Sequence, residues 1–454
     1  MKSGRAKIIT ITILLTIIFA VFAGCTDPVQ QSSASPAVSA TDSPTLVFTD
    51  QEFAFELQRT LGAAYSGEAD IGECIATASR IKEGDFESWY SEWEKTADNF
   101  RAVGDESFAA GHRVSAMEAY YRAATYYRTA EFFLHGNPAD PRIVETWGMS
   151  RDSFRDALSL DDVPYEIVEI PYENTTLPGY FYKVDDSGTP RPLLIVQTGF
   201  DGCQEELHPY AMEGIKRGYN VLTFEGPGQG EVIRVQHLPF RPDWENVIIP
   251  VVDYAVSRPD VDEDRIALWG ISLGGYLAPR GAVYEPRITA LIADAGTYDI
   301  GQNLLQILQG EGGAAENMTE EELQEWLKTD PAGFNDALRE AMAHDTGTRW
   351  LNENGMFVFN VSSPAQFWAK WMDFSLVGIA EDIRCPTLVT TGTADKFDPD
   401  GMQAQELYDH LTCEKELMVF SDEYGAGAHC QLGAFAQSFS GKFDWLDEKM
   451  GIKR

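Results

Sequence analysis

From about Asp50 to Leu160, apolar side chains recur every three or four residues with almost no two-residue alternation, a spacing that predicts stacked helices. The strongest run, Ser115 to Leu134, interleaves alanines with tyrosines, which lets helices approach closely; its Arg122, Arg128 and Glu131 become of interest if they are buried. Beyond Pro164 the pattern changes to short β-rich runs separated by helical ones. Tyr165–Tyr172 and Gly179–Val184 predict an antiparallel hairpin. Leu193–Gly199, Asn220–Gly226, Arg265–Gly270, Ile288–Gly296, Thr387–Gly392 and Lys415–Ser421 follow. Their largely unbroken apolar character predicts a mostly parallel sheet buried on both faces, with helices covering it. Between about Tyr298 and Asp382 the alternation stops, in helical sequence carrying Trp326, Trp350, Phe357, Phe359, Phe367, Trp368, Trp371 and Phe374. An insertion here would cover the carboxyl ends of the strands, the position of a lid, with about a third of these aromatics facing a pocket.

The N-terminus follows a different rule. Lys2, Arg5 and Lys7 precede an apolar and threonine run from Ile8 to Ala23 that ends Phe22-Ala23-Gly24-Cys25. That is the form of an export leader, and its end resembles a lipobox in which Cys25 is lipidated and becomes the new N-terminus, although Phe22 replaces the usual aliphatic residue. Thr26 to Thr45, rich in Ser, Ala, Pro and Thr, reads as a flexible spacer. The expected organisation is therefore a leader over 1–24, a linker over 25–48, a helical cap over 49–162, and an α/β domain over 163–454 with its insertion at about 298–382. The protein is expected to be exported, extracytoplasmic and tethered to the membrane through its N-terminal lipid or anchor.

Composition narrows the function classes. With 454 residues, 44% hydrophobic and 12% aromatic, the chain has material for two or three globular domains. A formal net charge of -36 repels nucleic acid and anionic membrane faces. Besides Cys25 there are Cys74, Cys203, Cys385, Cys413 and Cys430, without Cys-x-x-Cys spacing, and no His-Glu-x-x-His occurs. Neither a metal nor a cofactor is expected.

The candidate chemistry centres on Gly270-Ile271-Ser272-Leu273-Gly274, an apolar strand running through Gly-x-Ser-x-Gly into helical sequence, which is the setting of a nucleophile elbow. A serine hydroxyl is too weakly acidic to attack unaided, so Ser272 needs a base and an orienting carboxylate downstream. His429, in the glycine-rich loop after the last strand, is the expected base; His410 falls in a helical run. Asp395, in the loop after the strand Thr387–Gly392, is the expected acid, with Asp398, Asp400 and the earlier Asp294 as alternatives. The oxyanion donors would be the N–H of Leu273 and that of Phe200 in Gly199-Phe200-Asp201-Gly202, with Asp201 behind Phe200. Gly226-Pro227-Gly228-Gln229-Gly230-Glu231 does not have dinucleotide-loop spacing and reads as a tight turn bordering the pocket.

With these motifs in place, the chain from about Tyr165 onward resembles an α/β-hydrolase. Four stretches are similar to a subset with a helical N-terminal cap: Glu87 to Trp93, the Tyr120-to-Leu134 helix, Phe224 to Glu231, and Ala428 to Gln431. That subset includes 2,6-dihydroxypseudooxynicotine hydrolase and the fungal hydrolases that shorten a polyketide chain in melanin formation. The resemblance implies an α/β-hydrolase fold with cap helices forming part of the cleft, a Ser272-His429-Asp395 triad, and members that cleave a carbon–carbon bond next to a ketone. The expected activity is hydrolysis of an ester, amide or ketone-adjacent carbon–carbon bond in a small, partly apolar substrate. A non-catalytic surface binding protein and an exopeptidase of the prolyl-oligopeptidase type are the competing readings, the second without any visible β-propeller repeat.

Overall fold

The computed structural model describes residues 46–309 and 318–453. The leader, Cys25 and the spacer up to Thr45 lie outside the described residues. Five helices open the described chain: α1 (Gln51–Gly62), α2 (Ile71–Ala78), α3 (Phe86–Ala109), α4 (Arg113–Glu131) and α5 (Pro141–Leu160). Aspartate begins four of them, since Asp50, Asp70, Asp85 and Asp140 each accept hydrogen bonds from first-turn N–H groups. Helices α3 and α4 approach so closely at Gly104 that a methyl there would strike the Tyr120 ring.

The remaining elements follow as β1 (Tyr165–Tyr172), β2 (Thr175–Tyr182), β3 (Arg191–Gln197), α6 (His208–Lys216), β4 (Asn220–Phe224), α7 (Gly230–Arg234), α8 (Glu245–Val256), β5 (Val261–Ile271), α9 (Gly274–Tyr284) and β6 (Ile288–Asp294). The insertion supplies α10 (Ile300–Gln309), α11 (Glu320–Thr329), α12 (Pro331–Met342), α13 (Thr346–Val358) and α14 (Pro364–Trp371). The chain then returns through β7 (Thr387–Gly392), α15 (Met402–His410), β8 (Lys415–Phe420) and α16 (Phe435–Lys449). The eight strands form one sheet in the order β1-β2-β4-β3-β5-β6-β7-β8. The β1–β2 and β2–β4 pairs are antiparallel and every other pair is parallel.

Alternate residues of the central strands enter two separate cores. Leu193, Ile195, Ile266 and Leu268 join one, while Leu194, Val196, Ala267 and Trp269 join the other. Burial on both faces explains why these strands read as continuous apolar runs. Two boundaries differ from expectation by four residues: β5 starts at Val261 rather than Arg265, and β2 starts at Thr175 rather than Gly179, because only Glu173 and Asn174 turn the hairpin and Tyr172 pairs with Thr175. Pro178 is accommodated where β2 pairs with β1 alone, as contact with β4 begins at Gly179. Strands β3, β4 and β6 each end two residues earlier than expected, which releases their terminal glycines into the loops above the sheet.

Candidate active site

Strand β5 ends at Ile271 and α9 begins at Gly274, leaving Ser272 and Leu273 to make the bend. Ser272 has φ 63°, a left-handed conformation that a non-glycine residue adopts only under constraint. Bare backbone crowds the bend: a methyl on Gly275 would land on the Ala295 carbonyl, and one on Gly199 would come 2.5 Å from the Leu273 nitrogen. The loop after β3 thus lies directly against the serine turn.

The residues expected to act together are in line. His429 Nε2 is 2.9 Å from Ser272 Oγ, and His429 Nδ1 is 2.7 Å from Asp395 Oδ2. The other Asp395 oxygen accepts from the Phe397 N–H at 2.9 Å, which fixes the carboxylate plane. Burial opposes a charged imidazole here, but the Asp395 carboxylate overrides it and raises the His429 pKa well above 6.5. The pair therefore favours the imidazolium over the neutral ring. Neither the Phe200 N–H nor the Leu273 N–H donates to an acceptor among the described residues.

The alternatives are engaged with other partners, although Asp398 and Asp201 also line the cavity over Ser272. His410, on α15, bonds Glu381 at 2.7 Å and stacks on Tyr298. Asp398 accepts from the N–H groups of Gln403 and Ala404 at the start of α15, and burial raises its pKa to about 6. Asp400 is exposed. Asp294 is buried under the sheet ends, where it takes the Thr390 hydroxyl at 2.8 Å, the Trp269 indole at 3.2 Å and the Lys442 ammonium. The Asp201 carboxylate pairs with Arg59 of α1 at 3.3 Å.

Above the triad lies a cavity of about 190 Å³ built from all three parts of the chain. Phe55 and Arg128 come from the cap, Trp350 and Trp371 from the insertion, and Phe200 and Phe397 from the α/β domain. Of the eight insertion aromatics, only those two tryptophans line it, fewer than the expected third; the others pack within the insertion or against its neighbours, as Phe357 does on His135 and Phe374 on Tyr276. Phe200 stacks on Trp371 with centroids 4.9 Å apart.

Sequence reasoning missed Arg59 and the partners of several other polar residues around this cavity. Arg59 clamps Glu206 through Nε at 2.9 Å and Nη2 at 3.0 Å. Arg128 and Glu131, singled out in case they were buried, are buried, and Arg128 reaches Glu56 at 3.1 Å. The Gly226–Glu231 turn, expected to border the pocket, contributes no lining residue; it lies behind the loop after β3, whose Thr198 and Gly199 carbonyls accept from the Gln229 amide. Cys203, Glu205 and Glu225 could each offer a metal one ligand atom, all within 4.8 Å of one another. Both Glu225 oxygens are already engaged by the N–H groups of Gln204 and Glu231, and burial together with the Glu205 charge raises its pKa to about 8, so protonation relieves the repulsion without an ion. The five described cysteines are all free thiols.

Comparison with known proteins places this geometry in context. A model of the Alpha/beta hydrolase family matches residues 198–421, and one described as Esterase FrsA-like matches residues 79–301. The chain is similar to Hydrolase LUC6 of Fusarium sp, at 37% identity over 425 residues covering 90% of this chain and 99% of the relative. It is equally similar to 20-hydroxy-prefusarin hydrolase FUS2 of Gibberella moniliformis, at 37% identity over 426 residues with the same coverage. The structure of 2,6-dihydroxy-pseudo-oxynicotine hydrolase superposes with a TM-score of 0.65 at 21% identity, covering 86% of this chain and 95% of that one, a likeness of fold.

Proposed function

This chain belongs to the α/β-hydrolase family, and from that premise we propose that it is a serine hydrolase acting on an ester or a ketone-adjacent carbon–carbon bond of a small, partly apolar substrate. The observation that carries the reading is the unbroken line Ser272–His429–Asp395 at 2.9 and 2.7 Å beneath an aromatic-walled cavity. Ser272 Oγ attacks the carbonyl carbon as its proton passes to His429 Nε2, and Asp395 holds the imidazole oriented. The N–H groups of Leu273 and Phe200 receive the developing oxyanion. Collapse expels an alkoxide, or an enolate carbanion when the bond is carbon–carbon, and His429 returns the proton to it. Water then attacks the acyl-serine by the same route and releases a carboxylic acid.

A peptide amide has a poorer leaving group, whose nitrogen must be protonated as it departs, and is the third arm of the comparison. The test is a panel of aryl esters, peptide amides and β-diketones. Ester or diketone hydrolysis that disappears in Ser272→Ala supports the reading, whereas turnover undiminished in that variant overturns it.

A further inference from the structure

Three consecutive carbonyls of the loop after β3 are each held by a side-chain amide. Gln229 Nε2 donates to Thr198 O at 2.9 Å and to Gly199 O at 3.1 Å, and Asn354 Nδ2 donates to Phe200 O at 3.4 Å. A trans peptide points its C=O and its N–H in opposite directions. Anchoring the Gly199 carbonyl therefore aims the Phe200 N–H, and anchoring the Phe200 carbonyl aims the Asp201 N–H.

Both amides are fixed at their other ends. Gln229 Oε1 accepts from the Gly226 N–H at 2.9 Å. Asn354 Oδ1 must accept, because its nitrogen faces a carbonyl, and it takes His135 Nδ1–H at 2.7 Å. The far side of that ring, Nε2, lies 2.8 Å from Glu131 Oε1, and Arg234 grips Glu131 through Nε at 3.0 Å and Nη2 at 2.8 Å. Gln229, Asn354, His135, Glu131 and Arg234 are exposed by only 2, 1, 5, 4 and 6%. So much buried polarity is costly unless each group is satisfied, and once satisfied it holds a single geometry. The chain of contacts starts at Arg234 of α7, crosses Glu131 of α4 and His135 just after it in the cap, passes through Asn354 of α13 in the insertion, and ends on the loop after β3.

We propose that Gln229 and Asn354 are positioning residues for the oxyanion donor of this loop, Gln229 aiming the Phe200 N–H and Asn354 holding the peptide on the other side of Phe200, and that the Arg234–Glu131–His135–Asn354 chain makes this aim depend on both helical regions. The proposal rests on the serine-hydrolase reading, with Phe200 as an oxyanion donor. Gln229→Glu and Asn354→Asp keep shape but remove the donated hydrogen bond. For hydrolysis of 4-nitrophenyl butyrate, each is expected to lower kcat by roughly 10- to 100-fold with KM within about twofold. Affinity for an aryl trifluoromethyl ketone, whose addition to Ser272 makes the same oxyanion, should fall in parallel. His135→Leu should shift both quantities in the same direction by less. Asn354→Ser replaces Asn354→Asp if melting shows that the latter does not fold. Folded variants with kcat and ketone affinity within twofold of the parent, or with a change in KM alone, would overturn the positioning role. If they behave so while Ser272→Ala is inactive, only this inference is lost; turnover by Ser272→Ala would remove the underlying reading instead.

Discussion

Lys442 carries an ammonium into the floor of the site with no exposed surface at all, against Asp294 and Gln431. Burial lowers its pKa while Asp294 opposes that, and the Asp294 backbone carbonyl accepts from the Ser272 N–H, so the pair supports the Ser272 turn from below. Truncating one member of a buried pair leaves the other uncompensated at a cost of about 3–5 kcal/mol. Lys442→Met is therefore expected to lose that much stability in chemical denaturation, and Lys442→Met with Asp294→Asn to recover much of it. A single-variant loss below about 1 kcal/mol would contradict the assignment. Nothing local announced this pair, since its members are 148 residues apart. Ser272, Asp395 and His429 were legible for the opposite reason: a strand-to-helix serine pattern and the loops after two identifiable strands are local signals, and chain order alone pairs them.

Elements were legible wherever period and length agreed. Helical spacing marked the cap and the insertion, and continuous apolar runs marked the strands that feed both cores. Their ends were read too far because Gly199, Gly226 and Gly296 continue an apolar run while belonging to the loops. Hidden from sequence was the part that α1 plays. Its Arg59 reaches Asp201 and Glu206 across more than 140 residues of chain, and its Glu52 binds Lys396, the neighbour of Asp395, at 2.6 Å. Phe55 adds a ring 5.8 Å from that of Phe397. A first helix that touches both the loop after β3 and the loop after β7 is a tertiary fact; its amphipathic pattern only says that one face is buried.

At the scale of the molecule, charge and burial act together on stability. Burial is the first cause raising the pKa of Asp398 to about 6, Glu52 to about 7 and Glu225 to about 8. The fold binds these protons more tightly than the unfolded chain, so their stabilising contribution is complete below the ordinary values of 3.8 and 4.5 and is lost as pH rises through 6 to 8. Glu131 runs the other way: burial would raise it, but Arg234 and His135 bring it to about 2, so its contribution is present above 4.5 and fades as pH falls toward 2. Repulsion within a chain of net charge -36 also grows as the carboxylates ionise. Calorimetry at low salt should accordingly show Tm falling between about pH 5.5 and 8.5, with part of the loss restored by roughly 0.5 M salt; a flat or rising Tm would contradict this balance. The proposed chemistry depends on one atom, Ser272 Oγ, and its most direct measurement is the intact mass and peptide map of the protein after reaction with a fluorophosphonate. One covalent adduct on the peptide containing Ser272, absent from Ser272→Ala, is the predicted result; no adduct, or one that persists in Ser272→Ala, would contradict it.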